Sequence, residues 1–180
     1  MTAIIRTKMI KKKLLCLGLL IFLGWLYPAD VQAAPCLNSQ YYCVVDRDAG
    51  QPILGKNGDI RRPMASTTKI MTAILAVEYA GLDEMAIVSK YADRTPEYTI
   101  GLRAGQQLQV GELLKVALIR SANDAAVVLA EHIAGNEQFF AYLMSKKAYV
   151  IGAMNTRFQN SSGLPDEAHY STALDLARIS

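Results

Sequence analysis

The chain has 180 residues, enough for one ordinary domain, and carries a formal net charge of +3. The excess comes from residues 1–33, which hold 5 of the 19 basic and 1 of the 16 acidic side chains, so that residues 34–180 keep 14 basic and 15 acidic groups and a net charge of −1. Because the positive excess belongs to this leader, the charge gives no indication of nucleic-acid binding, and we expect no nucleic-acid partner.

Residues 1–33 have the layout of a secretory signal peptide. A basic opening is followed by the apolar run 14–26, and Val31-Gln32-Ala33 supplies small residues at the expected cleavage site. The apolar run has 13 residues, fewer than the ~20 that a helix needs to cross a bilayer. We therefore predict a signal peptide over residues 1–33, an exported domain over residues 34–180, and a location at the extracytoplasmic face of the cell membrane or cell wall.

Cysteine and histidine usage limits the available chemistry. Export permits a disulfide between Cys36 and Cys43, and two free thiols are equally compatible with the sequence. His132 and His169 are isolated from each other and from the cysteines, so they do not form a cluster of metal ligands. We expect neither a metal nor a cofactor.

The first half of the exported domain predicts a hairpin and one apolar helix. Two short apolar runs flank Asp48-Ala49-Gly50 within residues 41–59, which is typical of a β-hairpin. An apolar helix is predicted from about Ser66 to Ala80, with Gly81 as its C-terminal stop. Residues 86–110 are mixed, with short strand-like pieces at 86–89 and 107–110.

The second half is predicted to be mostly helical. Residues 111–120 form a helical run, Ser121-Ala122-Asn123 interrupts it, and the pattern resumes until Gly135. A third amphipathic helix covers residues 137–152, residues 159–170 read as a loop, and Thr172 with Asp175 forms a capping pair before a last helix. A lone hairpin is not an independent sheet, so either the protein is mostly helical or the strands that complete the sheet lie beyond Ser180, and we expect the second.

Lys69 is the residue whose position is hardest to explain by a purely structural role. It stands at the head of an apolar helix, where burial and the helix macrodipole both lower the pKa of an ammonium group. Ser66, three residues earlier, shares its helix face, which suits a nucleophile beside its general base. The alternative is that Ser66 simply caps the helix and that the spacing is accidental.

Ser121 and Asn123 form the second candidate element. A short break between two apolar helical runs lets a hydroxyl and an amide face a cleft. The structural alternative is that Asn123 or Asp124 only caps the following helix. A Ser-x-Asn break 55 residues after a Ser-x-x-Lys helix start is rarer than either part.

Together these residues resemble the penicillin-interacting serine enzymes, and most closely the D-alanyl-D-alanine carboxypeptidases, which are low-molecular-mass penicillin-binding proteins. The similarity lies in four stretches in order, residues 44–59, 61–76, 110–135 and 158–180. It implies an α/β fold of the β-lactamase and penicillin-binding-protein transpeptidase type. It also implies a role in cell-wall biogenesis, on peptidoglycan stem peptides ending in D-Ala-D-Ala, with β-lactams as acylating inhibitors.

The resemblance implies a role for each matched residue. Ser66 is expected to be the acylated nucleophile and Lys69 its general base. Ser121 is expected to relay the proton to the leaving D-alanine. Asn123 is expected to position the substrate amide and to help hold Lys69. The backbone N–H of Ser66 would form half of the oxyanion hole.

One departure from the family pattern concerns the end of the chain. The sequence has no Lys-Thr-Gly or Lys-Ser-Gly motif after the nucleophile, and Lys56-Asn57-Gly58 precedes it and lies in a turn. The resemblance therefore implies the N-terminal part of a carboxypeptidase domain. The C-terminal strands and the C-terminal segment that would associate with the membrane are expected outside this sequence. We expect the 180-residue chain to have negligible carboxypeptidase activity.

Two other functions remain as alternatives. A class A β-lactamase would share the Ser-x-x-Lys motif, but it typically has Ser-Asp-Asn where this chain has Ala122 in the middle position. It also has a glutamate that supplies the deacylation water, whereas Asp166 and Glu167 of this chain are interpreted as solvated turn residues. A penicillin-binding fragment or sensor without turnover would keep the cleft and lack the third motif.

Overall fold

The computed structural model describes residues 37–180. The predicted signal peptide and Cys36 lie outside this range, so export and the pairing of Cys43 stay predictions. The strands are β1 (Tyr42–Val45), β2 (Pro52–Lys56), β3 (Met85–Ile87) and β4 (Gln107–Gln109). The α-helices are α1 (Thr68–Tyr79), α2 (Val110–Ile119), α3 (Asn123–Ala134), α4 (Glu137–Val150) and α5 (Ala173–Ile179), and the 3-10 helices are Ala65–Thr67 and Ala92–Arg94.

The predicted hairpin is confirmed as the antiparallel pair β1–β2, with a bulge between Val44 and Val45. Its turn is closed by Asp46, whose Oδ1 accepts hydrogen bonds from the backbone N–H groups of Asp48 and Ala49. An aspartate that binds the backbone two and three residues ahead is a common way to stabilise a turn.

The strand-like pieces of residues 86–110 pair with each other. β3 and β4 form a second antiparallel ladder, in which Ala86 lies opposite Leu108. The strand-like pieces are therefore confirmed as strands, and among the described residues the hairpin is not the only sheet. Each piece has three residues, too short for period-2 alternation to predict a partner.

Helix α1 lies between two apolar clusters. On one side Ala76 joins the core formed by α2 and α3, and on the other Met71 and Leu75 pack with Phe140 of α4. All four side chains are at most 1% exposed. Burial on two sides explains why α1 is apolar around most of its circumference.

Two of the predicted helix termini are confirmed and one is wrong. Gly135 ends α3 in the left-handed conformation, at φ 78°, and the Thr172 side chain accepts from the Asp175 backbone N–H at the start of α5. Helix α1, however, ends at Tyr79 and Ala80 is extended at φ −133°. Gly81 is no left-handed cap there, and its N–H donates to the Glu84 carboxylate instead.

Within the described range, the helices are too short or too polar to cross a lipid bilayer.

Candidate active site

Lys69 is the centre of a polar cluster at the start of α1. Its side chain is 2% exposed. Lys69 Nζ lies 2.7 Å from Asn123 Oδ1 and 2.7 Å from the backbone carbonyl oxygen of Ser162. It lies 3.4 Å from Ser66 Oγ and 3.3 Å from Ser121 Oγ. The four predicted site residues are thus brought together, with the Ser162 carbonyl as a fifth member that the sequence did not indicate.

The chemistry of the amine follows from these contacts. Burial lowers the pKa of Lys69 from 10.5 to about 8, because an ammonium loses hydration there. A neutral amine has two N–H bonds and one lone pair. The two short contacts to Asn123 and Ser162 can take both N–H groups, which leaves the lone pair for the hydroxyls of Ser66 and Ser121. This arrangement suits a base that accepts a serine proton.

Ser66 is exposed at the helix start, while Lys69 is buried. It lies in the 3-10 turn that leads into α1, so the helix proper begins two residues later than predicted. Ser66 Oγ and Ser121 Oγ are 2.7 Å apart, within hydrogen-bond distance. The first N–H groups of a helix have no partner within it and favour a developing negative charge.

The backbone has an unusual conformation near both serines. Ala65, just before Ser66, has φ 45°, and Ser121 has φ 55°. Non-glycine residues seldom adopt positive φ, and such conformations cost about 1–3 kcal/mol each where the surrounding structure holds them. At Ser121 this geometry ends α2 and turns the hydroxyl toward Lys69 before α3 begins.

Asn123 connects Lys69 to a neighbouring loop. While Oδ1 faces Lys69, Nδ2 donates to the backbone carbonyls of Glu97 at 3.2 Å and Pro96 at 3.5 Å. The two ends of the amide thus have different partners, which defines its orientation. Asp124, which the sequence suggested only as a possible cap, is 2% exposed and binds the same loop through the Leu102 N–H at 3.0 Å.

The loop of residues 160–163 supplies the carbonyl that faces the lysine. Asn160 Oδ1 accepts from the Gly163 N–H at 2.7 Å, which closes the loop. The Ser161 carbonyl accepts from Thr72 Oγ1 at 2.6 Å, one turn along α1 from Lys69. The sequence predicted this segment only as a loop, because no residue type identifies a backbone carbonyl that will act as an acceptor. The polar run that ends in Gly163 was the one feature of the sequence that indicated a tight turn there.

His169 lies in the predicted loop, and its ring makes polar contacts that the sequence did not indicate. It is 3% exposed, its Nδ1 accepts from the Gln159 N–H at 3.0 Å, and its Nε2 lies 2.8 Å from Thr68 Oγ1. Since Nδ1 is an acceptor, Nε2 carries the proton of the neutral ring and donates to Thr68. The histidine therefore fixes the residue next to Lys69.

Burial lowers the pKa of His169, while the nearby carboxylates of Asp166 and Glu137 oppose that shift. The unfolded chain binds a proton there with the ordinary pKa of about 6.5. Below that pH the unfolded state binds more protons, so the free energy of unfolding falls as the pH drops and is fully retained above it. We expect the melting temperature to fall between pH 7 and pH 5, and to fall less in His169→Asn, which keeps an acceptor near Nδ1. Equal slopes in both proteins, measured by calorimetry, would contradict this assignment.

A cleft of about 370 Å³ opens beside the 3-10 turn that contains Ser66. Its walls include Pro63, Met64 and Ala65 on one side and Gly163, Leu164 and Pro165 on the other. Asp166 and Glu167 line its rim and are exposed, as expected for solvated turn residues. They make no hydrogen bond to Ser66 in the described structure.

A serine at a helix start, a buried lysine one turn later and a Ser-x-Asn break against them are the arrangement typical of penicillin-interacting serine enzymes. The comparison with known families is more specific. The family model described as D-alanyl-D-alanine carboxypeptidase matches residues 29–180. The chain belongs to this family of peptidases.

Curated relatives and solved structures agree with that family. The chain is 41% identical over 141 residues to the D-alanyl-D-alanine carboxypeptidase DacF of Bacillus subtilis, covering 74% of this chain and 36% of DacF. It is 30% identical over 160 residues to DacA of Escherichia coli, covering 83% of this chain and 40% of DacA. The chain thus spans 36–40% of the length of these two relatives.

The fold is that of the penicillin-binding proteins. A D-alanyl-D-alanine carboxypeptidase from Mycobacterium tuberculosis superposes with a TM-score of 0.78 at 30% identity, over 84% of this chain and 58% of that one. DacD from Francisella tularensis gives 0.76 at 35% identity, over 87% and 40%. The predicted α/β class and its penicillin-binding-protein type are confirmed for the part of the fold that this chain contains.

Proposed function

We propose that this protein is a serine-type D-alanyl-D-alanine carboxypeptidase of cell-wall biogenesis that acts through an acyl-enzyme on Ser66. One observation carries the proposal. Lys69 is buried, its two short hydrogen bonds reach Asn123 and Ser162, and its remaining contacts are the hydroxyls of Ser66 and Ser121. A buried, neutral-prone amine aimed at an exposed serine is an arrangement for making a nucleophile.

The reaction proceeds in two steps. Ser66 Oγ attacks the carbonyl carbon of the penultimate D-alanine while its proton passes to Lys69 Nζ. The bond from that carbon to the terminal D-alanine nitrogen then breaks, and Ser121 relays the proton to the leaving amine. Water next attacks the ester, restores the Ser66 hydroxyl and releases the shortened stem peptide.

The remaining assignments concern substrate and place. The Ser66 N–H contributes one oxyanion donor, where charge stabilisation is often the largest single catalytic term. Asn123 positions the substrate amide. Residues 34–180 are the N-terminal part of the catalytic domain and follow an export signal over residues 1–33, and the substrate lies outside the cytoplasm.

The test is intact-protein mass spectrometry of the native protein from its source, with and without benzylpenicillin, followed by a D-alanine release assay. We expect one penicillin per chain, on the peptide that contains Ser66, and no adduct in Ser66→Ala. An adduct without D-alanine release would favour the penicillin-binding alternative. Rapid β-lactam hydrolysis would favour a β-lactamase, and no adduct in the folded native protein would contradict the proposal.

A further inference from the structure

Glu137 is a buried carboxylate that the proposed chemistry does not use. It is the first residue of α4 and is 8% exposed, which is unusual for a glutamate. It is not needed as the helix cap, because the Asn136 side chain already accepts from the Phe139 N–H. None of the ion pairs among residues 37–180 includes it. A buried carboxylate without a cation depends on its hydrogen bonds.

Those hydrogen bonds hold the loop beside the candidate active site. Glu137 Oε1 accepts from the Ser161 N–H at 2.9 Å and from Ser161 Oγ at 2.6 Å. Its Oε2 accepts from the Tyr91 hydroxyl at 2.7 Å. This hydrogen bond, together with burial, raises the pKa of Tyr91 to about 12, so the tyrosine stays a donor at neutral pH. Hydrogen bonds to a charged acceptor are stronger than neutral ones.

The next two carbonyls of that loop face α1. The Ser161 carbonyl accepts from Thr72 Oγ1 at 2.6 Å, and the Ser162 carbonyl accepts from Lys69 Nζ at 2.7 Å. Lys69 and Thr72 are three residues apart and lie on one helix face. Glu137 therefore accepts from the N–H and hydroxyl of Ser161, while the carbonyl of the next residue, Ser162, accepts from Lys69.

We infer that Glu137 is a positioning residue for Lys69: its carboxylate fixes Ser161 so that the Ser162 carbonyl holds the lysine amine toward Ser66. This role rests on the proposed functions of Ser66 and Lys69. Glu137 has no contact with either of them and acts through the loop.

The effect of losing Glu137 should be visible in the pKa of Lys69. The groups in contact with Lys69 Nζ are all neutral, namely Ser66, Ser121, Asn123 and the Ser162 carbonyl, so burial is the cause of its low pKa. If the loop loosens, water reaches the amine and its pKa rises toward the ordinary value near 10.5.

The experiment measures the Lys69 pKa by NMR in the full chain labelled with 13C-lysine, assigned with Lys69→Arg. We expect Glu137→Ala to raise that pKa by about one unit, which lowers the neutral fraction at pH 7 roughly tenfold. Glu137→Gln should stay near wild type, since an amide oxygen can accept from both Ser161 donors while its NH2 group faces Tyr91. Ser161→Ala, which keeps the N–H and loses the hydroxyl, should shift the pKa less, in the same direction.

Glu112→Ala is the matched control, because Glu112 also lies in the first turn of a helix but is exposed and pairs with Lys115. It should leave the Lys69 pKa unchanged. A Glu137→Ala protein that melts earlier but keeps the wild-type Lys69 pKa would show a purely structural role and overturn the inference. If Glu137→Ala does not fold, an unshifted pKa in Ser161→Ala overturns it. Failure of the wild-type chain to react with penicillin would count against the Ser66 proposal alone, since the lysine titration does not require acylation.

Discussion

Lys69→Met is expected to lower the rate of Ser66 acylation by benzylpenicillin by about 10²–10⁴-fold, the usual contribution of a positioned general base. Methionine keeps most of the buried apolar stem but has no lone pair that can take the serine proton at neutral pH. The rate is read as the second-order constant for adduct formation by mass spectrometry. In the wild type this rate should rise with pH up to about 8 and then level off, since the neutral amine is the active form.

Lys69→Arg separates the base from the positive charge. Arginine keeps a cation and several donors, but its guanidinium stays protonated throughout the usable pH range and cannot act as a base. We expect it to be as impaired as Lys69→Met. Lys115→Met, at an exposed site on α2, is the control and should acylate at the wild-type rate. If Lys69→Arg reacts like the wild type, the lysine only supplies charge and the base lies elsewhere.

Gly163→Ala is expected to lower the free energy of unfolding by roughly 3–5 kcal/mol, from backbone strain and overpacking together. Gly163 has φ 92°, a conformation that L side chains seldom adopt. A Cβ built there would lie 1.9 Å from the Ala65 carbonyl oxygen, next to the nucleophile. Backbone would have to move, and the Ser162 carbonyl would move with it, so acylation should slow as well.

Gly105→Ala is the matched control for this substitution. Gly105 has φ 87°, close to that of Gly163, but a Cβ there would meet nothing within 4 Å. It should cost only the conformational strain of about 1–2 kcal/mol and leave acylation unchanged. Urea unfolding of both variants measures the difference. Equal losses would mean that positive φ alone, and not close contact with the nucleophile turn, requires glycine at position 163.

The elements that the sequence predicted well are those with a local signal. Apolar periodicity and the Ser121 break delimit α2 and α3 to within a residue or two, and the Thr172 cap marks the start of α5. The end of α1 was predicted wrongly because Gly81 suggested a left-handed cap, whereas Ala80 leaves the helix in an extended conformation. A glycine after a helix is a tendency, and the fold placed the turn of residues 81–84 there instead.

The pairing of Ser66 with Lys69 is encoded locally, because a spacing of three residues in a helix places both side chains on one face whatever surrounds them. The groups that complete this pair come from distant parts of the chain and depend on packing. The Ser162 carbonyl reaches Lys69 across 93 residues of chain, and His169 reaches Thr68 across 101. Such contacts have no periodicity, and a carbonyl has no side-chain identity, so they arise only when packing brings α1, α4 and the loop of residues 160–163 together. The same packing buries the lysine and so lowers its pKa.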